Sequence, residues 1–566
     1  MKLSEFPYER VDFTKMEKEL SDLTKAMDKA KSVEEVFSIH KKYYKMQDDV
    51  MTAMVLANFR NNIDMTDEFY EKEKDYYDEK MPGFWNAMVE YQKKLYHSPF
   101  KKEMEEKIGH VAFKNIELAI KGMDEKLIPL MQKENELTTA YGKLLGTATI
   151  EWEGEELNLS LMRPYLTSVD RSVRERAWEK YSAFFEEHRE ELNSLYDELV
   201  KNRTEQGRLL GYPDFTEIGY ARMNRNCYGE KEIESFRNQV KRDLVPFVEK
   251  LHEKRRKRLG LDHLYYYDED VFFPEGNPAP CGSPEEIMAA GEKMYDELSP
   301  ETSTFMRKMR EMELFDVLGR KNKSTGGYMD MLPNYKMPLV FANFNGTAGD
   351  IDVITHECGH AFQGYLTANL PIREHNDLTS ETAETYSMSM EFFTEPWMEL
   401  FFGERSDDYR EMHFEDTLMF IPYGTMVDHF QHIVYENPEL SPAERHAKWK
   451  ELVQIYQPWL KLDGEIPFYS EGEGWQRQHH IYSSPFYYID YCLAQTVALQ
   501  FWNLIQKDQK EAWQHYMAYT KQGGSVVFTK LLKNAGLESP FQESCLRGIC
   551  DTAAKYLSDY DLSGIA

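Results

Sequence analysis

Ile351-Asp-Val-Ile-Thr-His356-Glu357-Cys-Gly-His360-Ala-Phe-Gln363 is the stretch from which the rest of the chain is read. Ile351, Val353, Ile354, Ala361, Phe362 and, just beyond, Leu366 recur at helical spacing and leave little polar surface, so this helix is expected in a core. Four residues is close to one helical turn, so His356 and His360 project from one face, one above the other, and two imidazoles so placed can share a metal ion. Glu357 is rotated about 100° around the axis. It cannot ligate beside the histidines, but it can reach a water in the metal's open position. H-E-x-x-H also arises by chance, as two histidines on a buried helix with a surface glutamate between them. A helix this apolar needs partners for three polar side chains, and a metal is the simplest one.

A catalytic zinc takes three protein ligands and keeps one position open. The third ligand is expected on a neighbouring helix, and Leu378-Thr-Ser-Glu381-Thr-Ala-Glu384-Thr-Tyr-Ser387-Met-Ser-Met-Glu391-Phe-Phe393 offers candidates. Positions 381, 384, 388 and 391 share one face, so Glu381, Glu384 and Glu391 form an acidic stripe among Met388, Met390, Phe392 and Phe393. The three would repel one another unless a cation sat against them. The residues alone do not choose among the three.

Helical periodicity also dominates outward from this segment. It runs over residues 11–57 and 64–96, resumes at 173–208 and 232–258, and continues from 350 to the end with one irregular stretch at 463–485. Two interruptions have strand character. Residues 147–159 alternate around a turn signal at Gly154 and are expected as a hairpin. Residues 326–345 contain Pro338-Leu-Val-Phe-Ala-Asn-Phe344, which reads as a strand of a small sheet. The expected fold is mostly α: a large helical body with a small sheet beside the metal-binding helix.

The chain has 566 residues, 42% hydrophobic and 14% aromatic, which is ample for a core. A formal charge of −30 sets it against nucleic acid and anionic membranes as partners. Glu5 and Glu9 precede any apolar run, so no secretory signal is expected. The longest buried run, 491–505, is interrupted by Gln495, Gln500 and Asn503 and is too short for a membrane span. Six scattered cysteines without a CxxC pair read as reduced thiols, which fits a cytoplasmic protein.

His356-Glu-Cys-Gly-His360, followed by Glu384-x-x-Ser387-x-x-x-Glu391-x-Phe393, resembles the thimet-oligopeptidase family of zinc peptidases, and within it the oligoendopeptidase F and Pz-peptidase branch. The resemblance covers residues 166–566 well and the N-terminal helices only in character. It divides the chain into an N-terminal helical region, 1–165, and a catalytic zinc-peptidase region, 166–566. It implies a two-lobed body around a deep channel, one zinc ion per chain held by His356, His360 and Glu384, and Glu357 as general base. It implies short unstructured peptides as substrates, with the Pz-peptidase likeness pointing to collagen-derived, Pro- and Gly-rich ones. Residues 338–347 resemble the family's substrate-aligning strand and the loop after it, and Gly326-Gly327-Tyr328 is similar to a turn that helps hold the substrate backbone.

Residues 475–491, Trp-Gln-Arg-Gln-His-His480-Ile-Tyr482-Ser-Ser-Pro-Phe-Tyr-Tyr-Ile-Asp-Tyr491, resemble the segment in which the family places a histidine and tyrosines against the oxyanion of the tetrahedral intermediate. Tyr491 matches best; Tyr482 and His480 are the next candidates, with Tyr488 beside them, and Tyr487 reads as packing. Ser483-Ser484-Pro485 departs from the glycine-rich loop of some members. His429 and His432, with Asp428 and Gln431, read as ordinary helix surface. Two readings compete with a peptidase: a non-catalytic helical peptide-binding scaffold with a structural metal, and a hydrolase of non-peptide amides. A structural zinc normally has four protein ligands, commonly cysteines; Cys358 is on the wrong face, and a scaffold gives Glu357 no purpose.

Overall fold

A computed structural model describes residues 1–462 and 466–559; the first positions of the irregular stretch expected from 463, and the end of the region expected to reach 566, lie outside them. The described residues are 71% helical, as the periodicity predicts. Helix starts are marked by side chains that accept from the otherwise unpaired N–H groups of the first turn: Asp67 from Phe69 and Tyr70, Asp170 from Ser172 and Val173, Asp508 from Lys510 and Glu511. The run expected at 173–208 is two helices, Arg171–Glu187 and Arg189–Leu209, broken at His188. In the N-terminal part, helices Phe13–Met27, Val33–Ile63 and Glu68–Tyr96 bury Phe13, Leu20, Tyr77, Phe84 and Tyr91 in a core of their own. Leu3, Phe6, Val55, Leu56 and Phe59 belong instead to the main core, which the chain joins for good from Leu137 onward.

The expected hairpin is β1 (Ile150–Trp152) paired antiparallel with β2 (Glu155–Leu157). Its register puts Trp152 opposite Glu155, so Glu153 and Gly154 form a two-residue turn, with φ of 53° and 92°. That tight turn needs positive φ at both positions, which Gly154 supplies freely. The larger sheet has three strands in the order β3 (Phe315–Leu318), β5 (Met337–Phe344), β4 (Tyr328–Leu332), with β3–β5 parallel and β4–β5 antiparallel. β3 escapes a sequence reading because it is four residues long, its register slips between Asp316 and Leu318, and Leu318 faces outward. The sheet also corrects the role expected for residues 338–344. They form the central strand, paired with β4 over Met337–Phe341 and with β3 over Val340–Phe344, so both strands flank it rather than a peptide along its whole length. The edge strand nearest the motif is β4.

Three buried helices pack behind the sheet. The motif helix, Gly349–Thr367, lies against the carboxylate helix, Ser380–Thr394, which in turn lies along the tyrosine helix, Tyr488–Ile505. The motif helix is tied to the end of β5 through Asp350, whose carboxylate accepts from the N–H groups of Asn345 (2.9 Å) and Gly346 (2.8 Å). The fourth helix of this group, Ser406–Glu436, corrects another expectation. Asp428, Gln431 and His432 are buried rather than on a surface. His432 Nε2 is 2.9 Å from Tyr220 Oη, Asp428 pairs with Arg237 at 3.3 Å, and His429 Nδ1 bonds Tyr456 Oη at 3.1 Å. These histidines are satisfied by core hydrogen bonds. Among the described residues, no helix is long and apolar enough to cross a membrane.

The motif and carboxylate helices come closest at Gly359. A Cβ there would stand 2.6 Å from Ser387 Cα and 3.0 Å from the Tyr386 carbonyl oxygen, both backbone atoms that cannot swing aside. We predict that Gly359→Ala lowers stability by about 1–3 kcal/mol, as overpacking does, and lowers metal content in parallel because His360 and Glu384 are pushed apart. Gly142→Ala, where nothing lies within 4 Å, should be neutral or stabilising by up to about 1 kcal/mol. Thermal melts with metal analysis of both variants check the pair.

Candidate metal centre

His356 and His360 face Glu384 across the contact that Gly359 permits. Glu384 Oε2 lies 3.2 Å from His356 Nε2 and 3.1 Å from His360 Nε2, and the three candidate ligand atoms fall within 4.8 Å of one another. Ligand atoms around a tetrahedral zinc, each about 2.0–2.2 Å from it, lie about 3.3 Å apart. Two imidazoles and a carboxylate at these separations therefore fit one zinc ion. Burial opposes the charge of Glu384, but His360 and His356 hold its carboxyl well below the usual range. Of the acidic stripe, Glu384 alone points both histidines at one atom.

The other two carboxylates have separate tasks. Glu391 Oε1 accepts from His356 Nδ1 at 2.6 Å, and its Oε2 is 2.8 Å from His413 Nε2. This fixes the tautomer of His356 and leaves Nε2 free to ligate. Glu381 turns away: its carboxylate takes the hydroxyls of Thr379 (2.5 Å) and Tyr228 (3.2 Å). Ser387, one turn after Glu384, donates to the Glu384 carbonyl (2.9 Å) and to Oε2 (3.1 Å), a physical reason for serine at that spacing. Tyr487 donates to Glu384 Oε1. Sequence reading assigned Tyr487 to packing, although it stands one turn before Tyr491 on the same face. His413 lies in a helix without any motif, so no sequence signal could single it out.

The tyrosine segment divides in two. His480 Nδ1 is 3.0 Å from the Gln478 side-chain amide, and its Nε2 is 3.2 Å from Tyr491 Oη. Burial pushes His480 down to about 4, so the ring is neutral and cannot serve as an imidazolium donor. With the amide donating to Nδ1, the proton sits on Nε2 and is given to Tyr491 Oη, which leaves the phenol proton free to point elsewhere. Tyr482 is not brought to the centre. It is fully buried, stacked on Tyr141 at 3.9 Å between ring centroids, and its hydroxyl donates to the Leu192 carbonyl at 3.2 Å. The rings of Tyr141, Tyr196 and Trp475 surround it there, on the single short turn His479–Ser483. Tyr488 contacts His480 edge-on, 5.0 Å between centroids.

Glu357 is buried, and its Oε2 has no hydrogen-bond partner among the described residues. A buried carboxylate oxygen without a partner is costly unless something occupies the space before it. Burial raises its pKa while His356 and His360 pull it down. The expected turn at Gly326-Gly327 stands beside it: a Cβ on Gly327 would be 3.6 Å from Glu357 Oε1. Gly327 also lines a cavity of about 460 Å³ whose walls include Tyr181, Asn343, Val353 and His479. Segments distant in sequence thus enclose one space next to the centre.

Comparison with known proteins assigns a family. The profile described as Peptidase family M3 matches residues 165–275 and 293–550, and that of the Peptidase M3 N-terminal domain matches residues 3–123. The solved structure of Pz peptidase A with an inhibitor superposes with a TM-score of 0.98 at 43% identity, covering 99% of this chain and 100% of that one. Oligoendopeptidase F homolog of Borreliella burgdorferi is 21% identical over 91% of this chain and 90% of its own length. Oligopeptidase PepF of Bacillus subtilis is 22% identical over 67% of this chain, a match spanning 57% of that protein.

The three acidic-stripe residues should separate in one experiment. We predict that Glu384→Ala abolishes stoichiometric metal binding, that Glu391→Ala weakens it by about 10–100-fold, as loss of a hydrogen-bonded support for a ligand does, and that Glu381→Ala leaves it within a few-fold of the parent. Competition with a chromogenic chelator measures all three. Metal loss on Glu381→Ala with retention on Glu384→Ala would overturn the ligand assignment.

Proposed function

The chain belongs to peptidase family M3 and is a metallopeptidase of the oligoendopeptidase F type; on that premise we propose that it is a zinc-dependent oligoendopeptidase that hydrolyses internal bonds of short, unstructured peptides. The observation that carries the reading is the convergence of His356 Nε2, His360 Nε2 and Glu384 Oε2, with Glu357 buried one residue along the motif and one of its oxygens unpartnered. When bound, zinc supplies Lewis-acid polarisation of the scissile carbonyl and lowers the pKa of water in its open position.

The chain's own residues supply the rest. Glu357 accepts the proton of the attacking water and passes it to the leaving amine. Its burial favours this, because a carboxylate raised above the ordinary range is the stronger proton acceptor. Tyr491, its oxygen already accepting from His480, turns its proton toward the carbonyl oxygen as that oxygen gains charge. Tyr487 and Ser387 steady Glu384, and Glu391 steadies His356. The peptide backbone would add to β4 beside Gly326 and Gly327, in extended form. The likeness to Pz peptidases supports collagen-derived, Pro- and Gly-rich peptides as part of the substrate class, and six free cysteines support a reducing, cytoplasmic setting.

The primary test is metal analysis of the purified protein together with cleavage of a quenched fluorescent peptide with and without chelator; zinc at one per chain and chelator-sensitive cleavage are expected. A zinc-loaded protein that binds peptides without cutting them would favour the scaffold reading. We predict that Glu357→Gln keeps its zinc and loses about 10²–10⁴-fold in kcat. Tyr491→Phe should lose about 10²–10³-fold in kcat with KM and zinc unchanged, since a donor to the developing oxyanion acts only in the transition state. Tyr482→Phe should cleave at near the parent rate and lose at most about 1–2 kcal/mol of stability from its bond to Leu192. Equal rates for Tyr491→Phe and the parent would remove Tyr491 from the reaction.

A further inference from the structure

Buried arginines in this protein come with acids. Arg174 pairs with Asp268, Arg203 with Glu134, Arg225 with Asp490, Arg255 with Glu269 and Arg445 with Asp197. Arg477 is the exception. It ends the short turn Gly474–Arg477, three residues before His480, and is half-buried. Among the described residues no carboxylate oxygen lies within the 4.0 Å of an ion pair. Its guanidinium stands instead among aromatic rings, 5.9–6.0 Å from the centroids of Trp178, Tyr266 and Tyr469, and interacts with the phenol oxygens of Tyr181 and Tyr423. Ring faces stabilise the cation without using its N–H groups. Two phenols cannot satisfy all five N–H donors of a guanidinium, so donors remain directed into open space.

That space adjoins the candidate centre. Arg477 lines the cavity of about 460 Å³ that also has Gly327 and His479 on its wall, and Gly327 abuts Glu357. It lines as well a neighbouring cavity of about 330 Å³ with Tyr423, Gln478 and Tyr488. The acids of this second cavity are mostly engaged: Glu269 with Arg255 at 3.2 Å and Asp270 with Arg163 at 3.2 Å. Asp416, the remaining one, is pushed up to about 6 by burial and by Asp270. A planar fork without an ion-pair partner among the described residues, held by aromatic walls between the cavity beside Glu357 and its neighbour, matches a carboxylate in both charge and shape.

We propose that Arg477 is a specificity-determining residue that binds a carboxylate of the peptide substrate, either its C-terminus or an aspartate or glutamate side chain. The proposal rests on the peptidase reading above. It is tested with three peptides of one sequence: a C-terminal acid, the corresponding amide, and an amide carrying one internal glutamate. Cleavage by the zinc-loaded parent, Arg477→Lys and Arg477→Gln is followed chromatographically. The parent should favour a carboxylate-bearing peptide over the plain amide by about 10–100-fold in kcat/KM, the range of one charge-assisted contact, and chiefly through KM. Arg477→Gln should abolish the preference while cutting the plain amide as the parent does, and Arg477→Lys should keep part of it. Preference for the acid identifies the C-terminus; preference for the glutamate peptide identifies the side chain. Equal cleavage of all three by the parent, which requires no variant to fold, overturns the assignment alone, as does a uniform loss in Arg477→Gln. No cleavage of any of them by zinc-loaded parent overturns the peptidase reading and this assignment with it.

Discussion

The near-contact of the motif helix and the carboxylate helix governs the rest of the site. At Gly359 the two backbones approach within the space of a missing methyl group, and Glu384 reaches both histidines only because of that approach. The carboxylate helix is buried along nearly its whole length although it is rich in Ser, Thr and Glu. It tolerates this because most of its polar groups are used, the buried hydroxyls of Tyr386 and Ser389 being the exceptions among the described residues. Thr385 and Thr394 donate back to carbonyls one turn earlier, Ser387 serves Glu384, and the three glutamates have three different sets of partners. A buried carboxylate stripped of such partners would cost several kcal/mol.

The same helix fixes the tyrosines on its far side. Tyr228 Oη sits between Glu381 Oε2 (3.2 Å) and Asp490 Oδ1 (3.0 Å), and Arg225 closes the group on Asp490 at 3.3 Å. Asp490 immediately precedes Tyr491, so the phenol that meets His480 is anchored through its neighbour to the helix that carries Glu384. Burial, with the Glu381 carboxylate adding to it against the pull of Arg225, holds the Asp490 carboxyl above the usual carboxylate range. The centre is thus enclosed by hydrogen-bonded groups on three helices, and a displacement of any one of them is felt by the other two.

How much of this was legible in the sequence follows from where each signal lives. The histidines, Glu357 and the helical body are written in local spacing, which a helix converts directly into geometry. Glu384 among the three stripe residues was not, because all three share a face and only the crossing of two helices decides which one meets His356 and His360. Tyr482 and Tyr487 were weighed the wrong way round for a related reason. Their neighbours in sequence are nearly identical in character, and only the fold sends Tyr482 to Leu192 and Tyr487 to Glu384. β3 was invisible because four residues give no periodicity, and with it went the knowledge that residues 338–344 are the middle of the sheet. The buried network of Asp428, Gln431 and His432 looked like surface because polar residues announce their type but not their partners.

An unpaired sheet edge in open water is a template on which other chains extend, and proteins commonly blunt it with charge, proline or bulges. β4 is handled differently. Helix Val33–Ile63 packs along it, with Asn62 on the Tyr328 hydroxyl at 3.0 Å, and the motif helix lies on its other flank. A folded neighbour cannot bring a strand of its own into that enclosure. The helices around β4 are therefore also its protection against self-association through that edge, and loosening them would expose an aggregation-prone strand.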